Sequence, residues 1–156
     1  CYDAAGAGRL LPAPPKPRHR RTEVVQMAEW QDAPELAKLA ADIVAVRPEV
    51  AHVEVDDILF LRELETKPGG TLARTYRLVD HPIGFYITAR FAIVVYSQNT
   101  DYMSARQMAI LMLHELMHIP ELGDKLVDHD VKDFRSILRI DVDWARPGRE
   151  VMDILE

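Results

Sequence analysis

Two histidines and a glutamate stand together at His114-Glu115-Leu116-Met117-His118. Residues four apart on a helix lie one turn apart on the same face, so both imidazoles can reach one metal ion. Glu115 is rotated about 100° from His114. That puts its carboxylate beside such an ion rather than on it, where it can take a proton from water. Zinc would supply the other half of the chemistry, acidifying that water and polarising a carbonyl oxygen. With six histidines and eleven glutamates in 156 residues, chance produces this spacing in roughly 1–2% of such chains. The competing reading is a pair of core histidines bonded to backbone or to carboxylates.

A catalytic zinc takes three protein ligands and keeps a fourth position open. Metzincin spacing would require Gly at 121 and His at 124, but Glu121 and Asp124 stand there. The missing glycine rejects that family, while Asp124 survives as a carboxylate candidate. His129, which follows His118 after ten intervening residues, is the preferred third ligand. Three neutral imidazoles would leave the ion its full positive charge for acidifying water. Ligating histidines usually give their other N–H to a carboxylate or carbonyl. Asp130, Asp133 and Asp141 are near enough in sequence, although Asp133 reads better as a helix-cap residue. An oxyanion-stabilising group is also expected. Tyr102, Arg135 and His81 are available, and the sequence does not choose among them; His19 and His52 read as surface residues.

These side chains need elements to position them. Ser104, with Gln107 three residues on, predicts a capping box opening a helix that runs through Met108, Ile110, Leu111, Leu113, Leu116 and Met117 and stops before Pro120. It is apolar nearly all round and should lie in the core. That makes its two histidines and glutamate costly unless they have partners. An earlier helix is predicted from Pro34 to Arg47, with Asp32 and Glu35 as its capping box and Leu36, Leu39, Ala40, Ile43 and Val46 at helical spacing. A third is predicted from Val131 to Ile140, with Asp130 and Asp133 at its N-terminus. Between the first two helices, Val53–Leu61 and Thr71–Val79 read as a hairpin about the turn Lys67-Pro68-Gly69-Gly70. A second turn at Asp80–Gly84 leads into Phe85–Tyr96, whose end, Phe91–Tyr96, is a buried strand by composition.

Composition bounds the rest. An apolar share of 48% supports one cored domain, and a formal charge of −6 disfavours wholesale nucleic-acid binding. The one cysteine, Cys1, excludes an intramolecular disulfide and a cysteine zinc cluster. No apolar run approaches the roughly 20 residues of a membrane span. A reducing, cytoplasmic setting follows as the default. Opening on Cys1 rather than Met is what a fragment or a renumbered product would show. Residues 1–22, with four prolines and a net +4 against −10 for the remainder, predict an extended basic arm ahead of a domain spanning 23–156. The arm would be a solvated tail or a nucleic-acid tether.

The blocks His114–Ile119, Asp128–Arg135 and Asp143-Trp144, with Ile87–Tyr96 and Ala33–Leu36, resemble the phage metallopeptidase domain family of zincin-like metallopeptidases over about residues 23–145. The resemblance implies a zincin-like fold, His114, His118 and His129 as zinc ligands, and Glu115 as the catalytic base. The reading is an α+β domain: a small antiparallel or mixed sheet packed on the HExxH helix, with an N-terminal and a C-terminal helix. Its expected function is zinc-dependent hydrolysis of a peptide or protein substrate, oligomeric state aside. The alternative is a zinc-stabilised, non-catalytic binding module, nucleic-acid-associated through the basic arm.

Overall fold

The computed structural model describes residues 29–65, 68–78, 89–130 and 133–156. The basic arm and the Asp80–Gly84 turn lie outside these residues. The architecture is α+β. Its elements, in chain order, are β1 (Trp30–Asp32), α1 (Pro34–Val46), β2 (Ile58–Glu63), β3 (Ala73–Arg77), β4 (Phe91–Tyr96), α2 (Ser97–Thr100), α3 (Ala105–Leu116) and α4 (Arg135–Ile140). The four strands form an open mixed sheet in the order β1-β2-β4-β3. No helix among the described residues is long and apolar enough to cross a membrane.

β4 decides this order. All six of its residues, Phe91-Ala92-Ile93-Val94-Val95-Tyr96, are buried, and a strand apolar on both faces belongs in the middle of a sheet. It pairs in parallel with β2, Ile58 opposite Phe91 through Glu63 opposite Tyr96, and antiparallel with β3, Ala73 opposite Val95 through Arg77 opposite Phe91. The expected hairpin is therefore corrected: β2 and β3 are separated by β4. The turn chemistry itself holds, with Gly69 at φ 81° and ψ 6° after Pro68, the left-handed position a type II turn reserves for glycine. The expected strand also begins later, at Ile58, because Val55–Asp57 forms a short 3₁₀ turn.

Side chains alternate along the strands. Ile58, Phe60, Phe91, Ile93 and Val95 face the main core, which they share with Leu36, Ala40 and Ile43 of α1 and Ile110, Met112, Leu113 and Leu116 of α3. Leu61, Val94 and Tyr96, with Leu59 and Tyr76, form a smaller cluster on the opposite face. α3 thus lies under the sheet, packed on α1 and β3.

The helix ends divide the sequence expectations. α3 opens with the predicted capping box: Gln107 N–H donates to Ser104 Oγ at 3.1 Å, and Ser104 N–H to Gln107 Oε1 at 3.0 Å. At α1 the box does not form. Ala33 is the N-cap, with no side-chain bond, and Pro34 takes the first turn. Asp32 is held in β1 opposite Leu61, and Glu35 reaches the Arg62 Nε at 2.6 Å instead. The C-terminal helix is shorter than predicted and starts at Arg135; residues 131 and 132 lie outside the described residues.

Candidate metal centre

α3 presents His114 in its last turn, and His118 sits in the tightened turn that follows Leu116. Met117 remains in helical conformation and the His118 N–H bonds back to Glu115 O at 3.2 Å. The (i, i+4) relation thus survives although the helix has formally ended. His129 comes from the loop after α3. That loop is tied to the helix end by a reciprocal pair: Val127 N–H donates to His118 O at 2.8 Å, and His118 Nδ1 donates to Val127 O at 2.6 Å.

The three imidazoles converge. His129 Nε2 lies 3.0 Å from His114 Nε2 and 3.1 Å from His118 Nε2. The His118 proton sits on Nδ1, because a carbonyl can only accept. His114 Nδ1 lies 2.6 Å from Asp133 Oδ1, though not along a straight hydrogen-bond line. A carboxylate that close also favours the proton on Nδ1. Both Nε2 lone pairs therefore face His129 Nε2. His129 Nε2 can offer at most one proton to the two of them, so the three nitrogens satisfy one another poorly and suit a cation: one ligand atom from each histidine lies within 4.8 Å of the others, and the residues fit a metal ion. Burial, then the neighbouring imidazoles, pull the His118 and His129 pKa values below the ordinary histidine value, which favours the neutral, ligating form.

Phe134 forms an apolar floor, its ring 5.0–5.4 Å from all three imidazole centroids. Asp133 also accepts the Trp144 indole N–H at 3.0 Å on Oδ2 and the Phe134 N–H at 2.7 Å on Oδ1. Burial would raise its pKa, but the His114 and Trp144 contacts outweigh that and hold it below the usual carboxylate range. Reading Asp133 only as a helix-cap residue is thus corrected: it braces His114. Asp130 instead accepts the Arg135 N–H at 3.0 Å, and Asp141 binds Arg149 at 2.8 Å.

Glu115, only 4% exposed, lines the same cleft with His114, His118, His129, Leu126, Val127, Asp128 and β3 residues Ala73, Arg74 and Thr75. The Thr75 hydroxyl is 2.6 Å from Glu115 Oε2. Burial pushes the Glu115 carboxyl above its usual range, against the opposing pull of Thr75 and His114.

The other candidates fall elsewhere. Asp124 is 2.6 Å from the Arg77 guanidinium and is not part of the histidine cluster. Tyr102 donates to Ala145 O at 2.7 Å and lies outside the cleft lining. Arg135 lies beside Asp130, at 3.8 Å. His81 and His19 lie outside the described residues. His52 is half-buried and within 2.9 Å of Ile119 O, rather than a plain surface residue. Thr75 carried no site signal in the sequence, and Phe134 and Trp144 entered only within the blocks that carry the resemblance, with no role of their own until the fold brings them to the histidines.

An open mixed sheet over a helix that carries a three-histidine cluster and a buried glutamate defines a candidate metal-dependent protein of the α+β class. A family model described as "Putative phage metallopeptidase" matches residues 28–156, and the chain belongs to that family. Its name denotes a peptidase that uses a metal, hence a hydrolase acting on peptides or proteins. No curated protein and no solved structure matches the chain.

Proposed function

We propose that this protein is a zinc-dependent peptidase of zincin-like fold in which His114, His118 and His129 hold the metal and Glu115 is the catalytic base. The observation that carries the reading is the convergence of three imidazole nitrogens, with His114 Nε2 and His118 Nε2 at 3.0 and 3.1 Å from His129 Nε2, beside the buried Glu115 carboxylate on the helix that carries His114. Zinc would supply Lewis-acid polarisation of the scissile carbonyl and a lowered pKa for the attacking water. Glu115 accepts a proton from that water and delivers it to the departing amine. Its raised pKa suits the second half of that shuttle. Thr75 holds one carboxylate oxygen and leaves the other for the water. Asp133 and the Val127 carbonyl fix two of the rings, so little reorganisation is needed when the metal binds.

β3 supports a peptide substrate. It is the last strand of the described sheet. The bonds Tyr96 N–H to Leu72 O and Leu78 N–H to Arg90 O set the alternation, so that Arg74 and Tyr76 turn their backbone groups toward β4. Ala73 and Thr75 turn theirs toward the outer edge, over the cleft. An extended peptide can add there as a strand. The domain is taken to span 23–156, with residues 1–22 as a separate arm.

Metal analysis of purified protein, paired with hydrolysis of an unstructured protein such as casein before and after chelation, tests the reading. Close to one equivalent of zinc and activity that is lost on chelation and restored by zinc is the expected result. His129→Ala should lose most of the metal and Asp124→Ala should keep it. Full zinc with no hydrolysis would favour the non-catalytic binding module instead.

A further inference from the structure

Arg74 stands at the mouth of this cleft, is exposed, and lines it together with the three histidines and Glu115. Most of the other arginines of the described residues are paired: Arg47 with Glu49, Arg62 with Glu35, Arg77 with Asp124, Arg90 with Asp57, Arg135 with Asp130 and Arg149 with Asp141. Arg74 has no carboxylate partner among the described residues. Its guanidinium carbon lies 5.7 Å from the Tyr76 ring centroid, a stacking contact that orients the group without using its N–H donors. A charged fork held on the outer face of β3, beside the cleft, with its donors open fits a carboxylate, which it can bind through two parallel bonds.

We propose that Arg74 is a specificity-determining residue that binds a carboxylate of the substrate next to the scissile bond. The inference rests on the peptidase reading above. Thr75 bonds to Glu115, so the reacting carbonyl belongs near the level of Thr75. In a strand added to the outer edge of β3, the residue across from Arg74 is then the one adjoining that level. Directly opposed residues project to the same face of a sheet. The substrate side chain across from Arg74 therefore points to the face that carries Arg74 and Tyr76, away from the metal. A glutamate or aspartate there meets the guanidinium. The same chemistry is offered by the free C-terminal carboxylate of a short peptide ending at that position.

The test uses the zinc-loaded full chain and two peptide series around one cleavage site. The first has blocked ends and carries Glu, Gln or Lys at each position flanking the scissile bond. The second lacks acidic side chains and ends at those positions with a free carboxylate or an amide. In one of the series the carboxylate member should exceed its neutral partner by on the order of tenfold in kcat/KM, mainly through KM, and the advantage should shrink with added salt. Which series responds identifies the carboxylate. Arg74→Gln should abolish the preference, and Arg74→Glu should turn it toward Lys, both with zinc content unchanged. Cleavage with no preference in either series, or a preference that survives Arg74→Glu, overturns the assignment while leaving the peptidase reading standing. No cleavage of any peptide by zinc-loaded protein overturns both.

Discussion

Two of the three clustered imidazoles, His118 and His114, are aimed by partners outside the cluster. His118 is fixed by the Val127 carbonyl at 2.6 Å, while His114 leans on Asp133 at the same distance, and Asp133 is itself held by Trp144. Asp133→Asn keeps the size of the brace and removes its charge. Zinc affinity should fall by about 10–100-fold, measurable by competition with a chromophoric chelator. Protons compete with the metal for the same nitrogens. Because burial holds the His118 and His129 pKa values low, protonation lags behind that of free histidine as the pH falls. Zinc should therefore stay bound at pH 6.5 and be released only in more acid solution, with the release followed by dialysis and metal analysis.

At the scale of the element, α3 carries His114 and Glu115 of the candidate site, and its start was legible in the sequence. Its cap, its apolar surface and the spacing of His114, Glu115 and His118 are all local features, set by residues within a few positions of one another. Asp133 was misread because its role depends on Trp144, eleven residues away, and on His114, nineteen away, and no periodicity encodes either contact. The hairpin failed for the same reason. Turn chemistry at Pro68-Gly69 is local, whereas insertion of β4 between β2 and β3 is a choice among distant partners, made by its two apolar faces. Gln107 shows how far a capping residue can reach. Its amide also donates to the Trp144 and Arg146 carbonyls at 2.9 and 2.8 Å, tying the start of α3 to the segment that carries Trp144. Gln107→Ala should cost about 2–4 kcal/mol, as buried carbonyls lose their donors. It should also weaken zinc binding by loosening Trp144; denaturant unfolding and metal competition would report the two effects separately.

At the scale of the whole molecule, charge and composition set the first 22 residues apart, and the family match covers residues 28–156. The first 22 residues carry a net +4, in opposition to −10 on the rest. On the proposed division, limited proteolysis should trim the arm first and leave zinc content and melting temperature unchanged. A large fall in melting temperature would show that the arm is part of the fold. β3, α1 and α4 pack against α3, and the loop to His129 is tied to its end. The metal cluster is therefore a property of the assembled domain rather than of the HExxH helix alone.

The rate of peptide hydrolysis by Glu115→Gln protein carrying a full equivalent of zinc tests the central claim most directly. The substitution preserves the shape of the side chain and the Thr75 contact, and removes no ligand. Zinc should remain bound while hydrolysis falls by about 10²–10⁴-fold, the contribution of a positioned acid–base group. Undiminished hydrolysis in the zinc-loaded variant would contradict the account, because the proton would then be moved by another group.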